Sequence, residues 1–356
     1  AEVGRQQAKL YADALQAEHG QRPLIFYTNG HRTFLWDDQR YSAPREVQGF
    51  YTQDELALAL VRRQSLKLLA HMPIKAEIVE RVYQTRAIRA ITEAFSHGRR
   101  RALLTMATGT GKTRVAVALA DVLMQANWAK RVLFLADRVS LVNQATSKGF
   151  KPLLPNSAVV NLLNDKQGQG RVYLSTYPTM MGLIDEMVDG QRRFGVGHFD
   201  LIIVDEAHRS VYQKYGAIFR YFDAYLVGLT ATPRDEVDRD TYQLFGLEKG
   251  VPTDAYSLNE AVADGYLVKP TMQSVPLKFV REGIKYDELS GEDETSDAVP
   301  EETVLLFVWP VSNSGILSLS YHPTAVPVLS PGAARSPAMP HIRRRRSRRR
   351  GQNGPV

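Results

Sequence analysis

The alternation of apolar and polar positions divides the chain into a regular middle and two dissimilar flanks. From about Met72 to Asp254, helical stretches alternate with short runs in which apolar residues fall at successive positions: ALLTM, RVLFLA, VYLST, LIIVD and YLVGLTA. Strands apolar on both faces and separated by helices predict a parallel sheet covered on both sides. Upstream, Gln6 to Leu15 has helical spacing, and RPLIFYTNGHRTFLWDD places Asn29-Gly30 between two β-rich runs, the signal of a hairpin. Thr52-Gln53-Asp54-Glu55 fits a capping box ahead of the helical run LALALVRRQSLKLLA. Downstream, SLNEAVADGYLVKPTMQSVPLKF reads as a short helix, a glycine turn and a strand. Periodicity is lost over residues 298–356, which hold eight of the 18 prolines with many Ser and Ala, and this stretch is expected to be disordered.

Composition excludes more than it selects. Among 356 residues there is no cysteine, so disulfides, thiolate zinc sites and thiol nucleophiles are excluded. No stretch is long and apolar enough to span a bilayer, and no signal peptide is visible, so no membrane partner is expected. The net charge of +7 invites a nucleic-acid reading, yet seven arginines between Arg343 and Arg350 account for all of it. The basic balance therefore describes a tail rather than a groove. That tail would adhere to nucleic acid at low salt, although a solvated face is its simpler role.

Chemistry enters where the strand ALLTM runs into Ala107-Thr108-Gly109-Thr110-Gly111-Lys112-Thr113 and then a helix. Glycines let backbone N–H groups turn inward onto phosphate oxygens, and a helix N-terminus adds the positive end of its dipole. Lys112 would reach the β- and γ-phosphates of ATP, and the Thr113 hydroxyl would ligate Mg²⁺. The strict phosphate-loop pattern asks for Gly where Met106 stands. About ninety residues on, LIIVDEAH delivers Asp205 and Glu206 to the C-terminal end of a buried strand, where open α/β sheets bind ligands. Asp205 would hold Mg²⁺ through water, and Glu206 would orient or deprotonate the attacking water. Adjacent acids after a strand are often only a solvated turn, but the pairing with the loop reads as an ATP-hydrolysing site with Glu206, Asp205 and Lys112 as its catalytic groups.

Asp205-Glu206-Ala207-His208, with Leu229-Thr230-Ala231-Thr232-Pro233 and ATGTGKT, resembles the superfamily 2 helicases and translocases. The resemblance implies further roles. Gln84, in Tyr83-Gln84-Thr85-Arg86-Ala87-Ile88, would read the adenine edge. Arg138 in LADRVSLVNQA and Thr176 in Ser175-Thr176-Tyr177 would touch the DNA backbone. Thr230, Thr232 and His208 would couple hydrolysis to movement. The flanks narrow the family. Gln7-Ala8-Lys9-Leu10-Tyr11 matches the Gln-x-x-x-Tyr helix of RecB-type nucleases, in which Gln7 and Tyr11 support the cleavage centre. GRQQAKLYADAL, RPLIFYTNGHRTFLWDD, FYTQDELALALVRRQ, DEAHRSVYQKYGAIFRYFDAYLVGLTATP and SLNEAVADGYLVKP together resemble the restriction (R) subunit of type I restriction–modification enzymes over roughly residues 1–290. Such subunits pump double-stranded DNA past a complex containing modification (methyltransferase) and specificity subunits, in the cytoplasm, with ATP and Mg²⁺.

The organisation expected is therefore the end of a PD-(D/E)xK-type nuclease domain at 1–45 and a helical linker at 46–72. A RecA-like ATP-binding lobe follows at 73–255, then the start of a second motor lobe at 256–297 and a tail at 298–356. Two family features are absent: the nuclease carboxylates that should precede Glu2, and the Gln-x-x-Gly-Arg-x-x-Arg motif that supplies a transition-state arginine. The chain is thus expected to be incomplete at both ends and to hydrolyse ATP very slowly. Residues after Asp297 are expected to be an out-of-frame or degenerate ending. A superfamily 2 repair helicase, or a remnant that binds nucleotide without turnover, are the rival readings.

Overall fold

Why five apolar runs become one sheet is visible in the side-chain alternation of each. The computed structural model describes residues 2–188, 190–207, 209–232, 239–269, 271–272 and 307–308. The chain opens with helix α1 (Glu2–His19), followed by β1 (Ile25–Thr28), β2 (Thr33–Trp36) and β3 (Arg45–Val47), an antiparallel three-stranded sheet. The expected hairpin is there. Asn29 turns it by accepting the N–H groups of His31 (3.1 Å) and Arg32 (2.8 Å) on its side-chain oxygen, and Gly30 takes φ +87°. Ala12, Ile25 and Trp36 form a small core under α1.

Helix α2 (Gln53–Ser65) begins on the capping box read from the sequence. Glu55 N–H donates to Thr52 Oγ1 (3.4 Å), and Thr52 N–H donates to the Glu55 carboxylate (3.0 Å). Beyond it lie α3 (Val82–Ser96), β4 (Arg101–Met106), α4 (Lys112–Gln125) and β5 (Val132–Ala136). Next come α5 (Val139–Gln144), α6 (Lys151–Leu153), β6 (Val159–Asn161), β7 (Val172–Thr176) and α7 (Tyr177–Leu183). A two-residue hairpin, β8 (Met187–Val188) and β9 (Gln191–Arg192), precedes β10 (Leu201–Asp205), α8 (Arg209–Tyr221), β11 (Tyr225–Thr230), α9 (Arg239–Leu244), β12 (Asp254–Tyr256) and α10 (Leu258–Ala263).

Seven strands form one sheet in the order β12-β4-β11-β10-β5-β7-β6, and every pairing is parallel. This is the RecA-like lobe expected. Successive residues feed opposite cores: Ala102, Leu104, Val132, Phe134, Leu201 and Ile203 face α3 and α4, whereas Leu103, Leu133, Leu135, Ile202 and Val204 face α7, α8 and α9. Each such Val, Leu or Ile, fully removed from water, stabilises the fold by about 1.5–3 kcal/mol. Helix α4 is buried from Val115 to Met124, and its single acid there, Asp121, is paired with Lys75 at 2.9 Å.

The compact unit that contains the sheet extends to Lys269. Strand β12 is its edge, and α10 packs Ala261 into the first core. In the second unit, Thr271–Met272 (β13) pair antiparallel with Phe307–Val308 (β14). Those last two residues fall in the stretch expected to be disordered. The rest of 298–356, with its arginine run, and residues 273–297 lie outside the described residues.

Candidate nucleotide site

Three adjacent strands bring the phosphate loop and the acidic pair together. β4 ends at Met106, and β10 ends at Asp205, with β11 between them pairing Asp205 with Leu229 and Thr105 with Thr230. Met106, standing where Gly was expected, is simply the last buried strand residue. The turn that follows needs its two glycines: Gly109 has φ +85° and Gly111 φ +88°, values that L side chains rarely adopt. Gly111 is also the residue from which α4 starts. The turn packs tightly against α3, because a Cβ on Gly111 would lie 2.5 Å from Gln84 Nε2.

The loop is held closed from its back. Thr110, fully buried, offers its carbonyl to Tyr83 Oη–H (2.8 Å) and to Gln84 Nε2–H (2.9 Å). Its hydroxyl donates to the Ala107 carbonyl at 2.6 Å, and the Ala107 N–H donates to the Tyr256 carbonyl at 3.0 Å. Tyr83 stacks on Tyr256 with ring centroids 3.8 Å apart. Gln84, expected to read adenine, is thus 2% exposed and donates to the loop itself. Thr108 and Gly109 are exposed, and Thr113 is half-buried. Neither Tyr83 nor Tyr256 was singled out by sequence as a support of the loop, and Tyr256 lies in a strand too short to announce itself.

Across the sheet edge, the Lys112 ammonium is only loosely engaged, 3.4 Å from the Met106 carbonyl and 3.9 Å from Glu206 Oε1. Asp205 is 9% exposed, and its Oδ1 is buried with no hydrogen-bond partner. Burial, reinforced by the Glu206 charge and opposed by Lys112, pushes its carboxyl up to about 6. Glu206 sits at φ +56°, a left-handed conformation that costs a non-glycine residue of order 1–3 kcal/mol. The strands hold it there: Ala207 N–H donates to the Leu229 carbonyl (2.9 Å), and Tyr177 Oη–H donates to the Asp205 carbonyl (2.6 Å). A cation, a turn with two positive-φ glycines and an orphaned buried carboxylate oxygen fit a magnesium nucleotide better than they fit a self-contained fold.

The remaining site residues are dispersed. Thr230 is fully buried, and its hydroxyl accepts the Thr232 N–H at 3.1 Å; His208 lies outside the described residues. Arg138 is exposed at the start of α5, on the same sheet edge as the site. Thr176, expected to touch DNA, is 5% exposed and its hydroxyl caps α7, accepting the Thr179 N–H at 3.5 Å. Gln7 and Tyr11 are exposed on α1, and Gln7 Nε2–H donates to Tyr11 Oη at 3.0 Å. No described carboxylate cluster of metal-binding size stands near them or elsewhere among the described residues.

Comparison with known proteins finds restriction-enzyme subunits similar to this chain. Residues 77–235 match the family described as type III restriction enzyme, res subunit. The EcoAI type I restriction endonuclease subunit of Escherichia coli is 35% identical over 212 residues, covering 58% of this chain and 24% of that protein. The EcoKI subunit of Escherichia coli K12 is 32% identical over 238 residues, covering 59% of this chain and 19% of that protein. A solved fragment assigned to an HsdR subunit of a type I restriction enzyme from Vibrio vulnificus YJ016 is 32% identical, with TM-score 0.42, covering 74% of this chain and 46% of that one. Over its ATP-binding lobe the chain is thus similar to the helicase-like region of type I restriction endonuclease subunits. It spans about a quarter or less of the length of these curated relatives.

Proposed function

We propose that this chain is the ATP-binding segment of a DNA translocase, working as part of a type I restriction subunit. The observation that carries the reading is the meeting of Lys112 with Asp205 and Glu206 at one sheet edge, where Asp205 Oδ1 is buried without a partner. In the reaction, the N–H groups of the 107–111 turn and the start of α4 would cradle the β-phosphate of ATP, and Lys112 would balance charge on the γ-phosphate. Thr113 and Asp205 would hold Mg²⁺, which supplies neutralisation of the phosphate oxygens when bound. Glu206 would orient a water in line with the γ-phosphorus and accept its proton as the terminal phosphate leaves. Its strained backbone serves that task by aiming the carboxylate at the loop rather than along the strand.

Double-stranded DNA would be gripped beside the site through Arg138, with Thr230, Thr232 and His208 relaying hydrolysis to that grip. Modification and specificity subunits are the proposed partners, which places the protein in the cytoplasm. Residues 1–45 are read as the end of the nuclease domain, with Gln7 and Tyr11 on its supporting helix. Titration of a fluorescent ATP analogue with Mg²⁺ against the wild-type chain, Lys112→Ala and Asp205→Asn tests the core of this. Saturable binding lost in both variants is expected. Binding that is absent, or that survives Lys112→Ala unchanged, refutes the assignment.

A further inference from the structure

The edge of the sheet opposite the nucleotide site carries a second feature. A cleft of ≈ 1030 Å³ opens there between α2 and the loop 167–171 that leads into β7. Its charged lining is unbalanced: Lys130, Arg131, Arg171, Arg192 and Arg193 face only Asp54 and Glu186. Topology explains the gathering, because Lys130 and Arg131 immediately precede β5, Arg171 immediately precedes β7, and Arg193 lies in the approach to β10. Arg193 is paired with Glu186 at 2.9 Å and Arg192 with Asp185 at 2.9 Å. Lys130, Arg131 and Arg171 have no salt-bridge partner among the described residues, and Lys130 and Arg171 are exposed.

The cleft also leaves donors unanswered. Arg131 Nη1 lies 3.2 Å from His198 Nδ1. Burial, with Arg131 and Arg193 alongside, pushes the His198 imidazole down to about 3, so the ring is neutral at physiological pH. A neutral ring that accepts at Nδ1 carries its hydrogen on Nε2. That Nε2, together with Arg131 Nε and Arg193 Nε, is buried with no acceptor. A partner of negative charge would complement the net charge and the exposed Lys130 and Arg171, and a phosphodiester backbone has acceptors to offer them.

We propose that this cleft is a second contact for the backbone of duplex DNA. It rests on the translocase reading above. It is separate from the grip at Arg138: Arg131 and Arg138 bracket β5, roughly 20 Å apart along an extended strand, on opposite edges of the sheet. A different stretch of the same duplex therefore occupies it. The N-terminal segment is anchored along this edge too, through Arg45–Asp223 and Arg62–Asp200. DNA held in the cleft is thus held on the side of the lobe where that segment docks, which suits delivery of pumped DNA rather than the stepping itself.

The test uses the full chain, whose arginine tail is common to every variant. Anisotropy of a fluorescent duplex of about 30 base pairs, followed from about 50 to about 200 mM salt, compares wild type with Lys130→Gln/Arg171→Gln. Arg99→Gln/Lys249→Gln, with the same loss of charge from exposed positions elsewhere, is the control. The cleft variant is expected to bind about tenfold or more weakly at the lowest salt and to flatten the log–log salt slope by roughly 2 beyond the control. Because the chain has no cysteine, Gln169→Cys carrying a photocrosslinker reports the site directly and is expected to crosslink to the duplex. Cleft and control variants that behave alike, or a Gln169→Cys that does not crosslink, overturn the proposal. If Arg138→Gln weakens binding in that same experiment, the translocase reading stands without the cleft. Loss of Lys112-dependent nucleotide binding brings down both.

Discussion

Replacing Asp223 with alanine should cost the lobe a large part of its stability. The carboxylate lies between α8 and β11, with its side chain 7% exposed. It accepts from Arg45 Nε (2.8 Å) and Nη2 (2.7 Å), from Arg100 Nη2 (2.8 Å) and from Tyr51 Oη–H (2.6 Å). Burial alone would raise its pKa, but Arg100 and Arg45 beside it hold the carboxyl far below the usual range. Removing it strands two half-buried guanidinium groups and a half-buried phenol. Breaking a buried pair in this way costs about 3–5 kcal/mol, against a total of about 5–15 kcal/mol for a domain. Urea unfolding followed by tryptophan fluorescence measures the loss, with Trp36 and Trp128 as reporters on either side of the junction. The sign of the pH dependence is a second check. A depressed carboxylate contributes stability that is fully present above its ordinary pKa of 3.8 and is lost as pH falls toward the folded value. The gap between wild type and Asp223→Ala should therefore be constant from about pH 5 to about pH 8 and close only in stronger acid. A loss below about 1 kcal/mol, or a gap that narrows near neutrality, refutes the account of Asp223 as the anchor of the N-terminal segment.

Lys112→Ala should leave unfolding within about 1 kcal/mol of wild type, since its ammonium makes only long contacts. Nucleotide affinity, read by the fluorescent analogue, should fall tenfold or more. Mg²⁺-nucleotide affinity of the free chain should show an acid limb near pH 6: with no metal bound, burial and Glu206 push the Asp205 carboxyl up to about 6, so protons compete with Mg²⁺ for it as pH falls through that value. An acid limb near pH 4 instead would mean that Asp205 is solvated. Gly111→Ala should destabilise by about 1–3 kcal/mol through its φ of +88° and its clash with Gln84. In a Gln84→Ala background the steric share disappears, so a thermal-melt cycle that shows full additivity would show that Gln84 does not pack on the loop.

Legibility followed the physics of each segment. The five apolar runs were readable because a parallel strand sandwiched between helices has no polar face, and all five are strands of the sheet. β6 and β12 were not, because three residues at a sheet edge, half exposed, carry no such run. The phosphate loop was readable from its glycines, whose positive φ values leave few other residues possible. What closes the loop was not: Tyr83 and Tyr256 meet only because β12 returns beside β4, a contact about 170 residues apart in the chain. Thr176 shows the converse. In Ser175-Thr176-Tyr177 it resembled a backbone-contacting turn, and the fold gives the same position a second task that the motif does not show, as the N-cap of α7 whose hydroxyl oxygen accepts the Thr179 N–H. The buried Asp223 junction was illegible for a simpler reason. Arginines at 45 and 100 acquire meaning only when the small N-terminal sheet docks against the lobe.

The same contacts bear on how a nucleotide could move anything. The Thr110 carbonyl is held by Tyr83 and Gln84, and Tyr83 is stacked on Tyr256, whose carbonyl holds Ala107. Tyr256 Oη–H donates to Asp264 at 2.7 Å, Tyr266 packs edge-on to Tyr83, and a Cβ on Gly109 would lie 3.3 Å from Leu267. The loop is therefore bolted to the segment 254–267 by which the chain leaves this unit. Such over-determination keeps the loop in its binding shape and lowers the ordering cost of the ligand. It also means that any shift of Thr110 or Gly109 on phosphate binding is transmitted to Tyr256 and Leu267 through rigid rings rather than absorbed by a flexible turn. Under the proposed function, coupling in this lobe would have two exits: forward through Thr230, the last residue of β11, and Thr232 just beyond it, and sideways through Tyr83 and Tyr256 to the residues just before Lys269. Only the first of these is carried by the motif residues. The second depends on aromatic packing, so Tyr83→Leu should weaken coupling of nucleotide to DNA binding while leaving Lys112, Asp205 and Glu206 in place, an outcome that DNA anisotropy with and without nucleotide can measure.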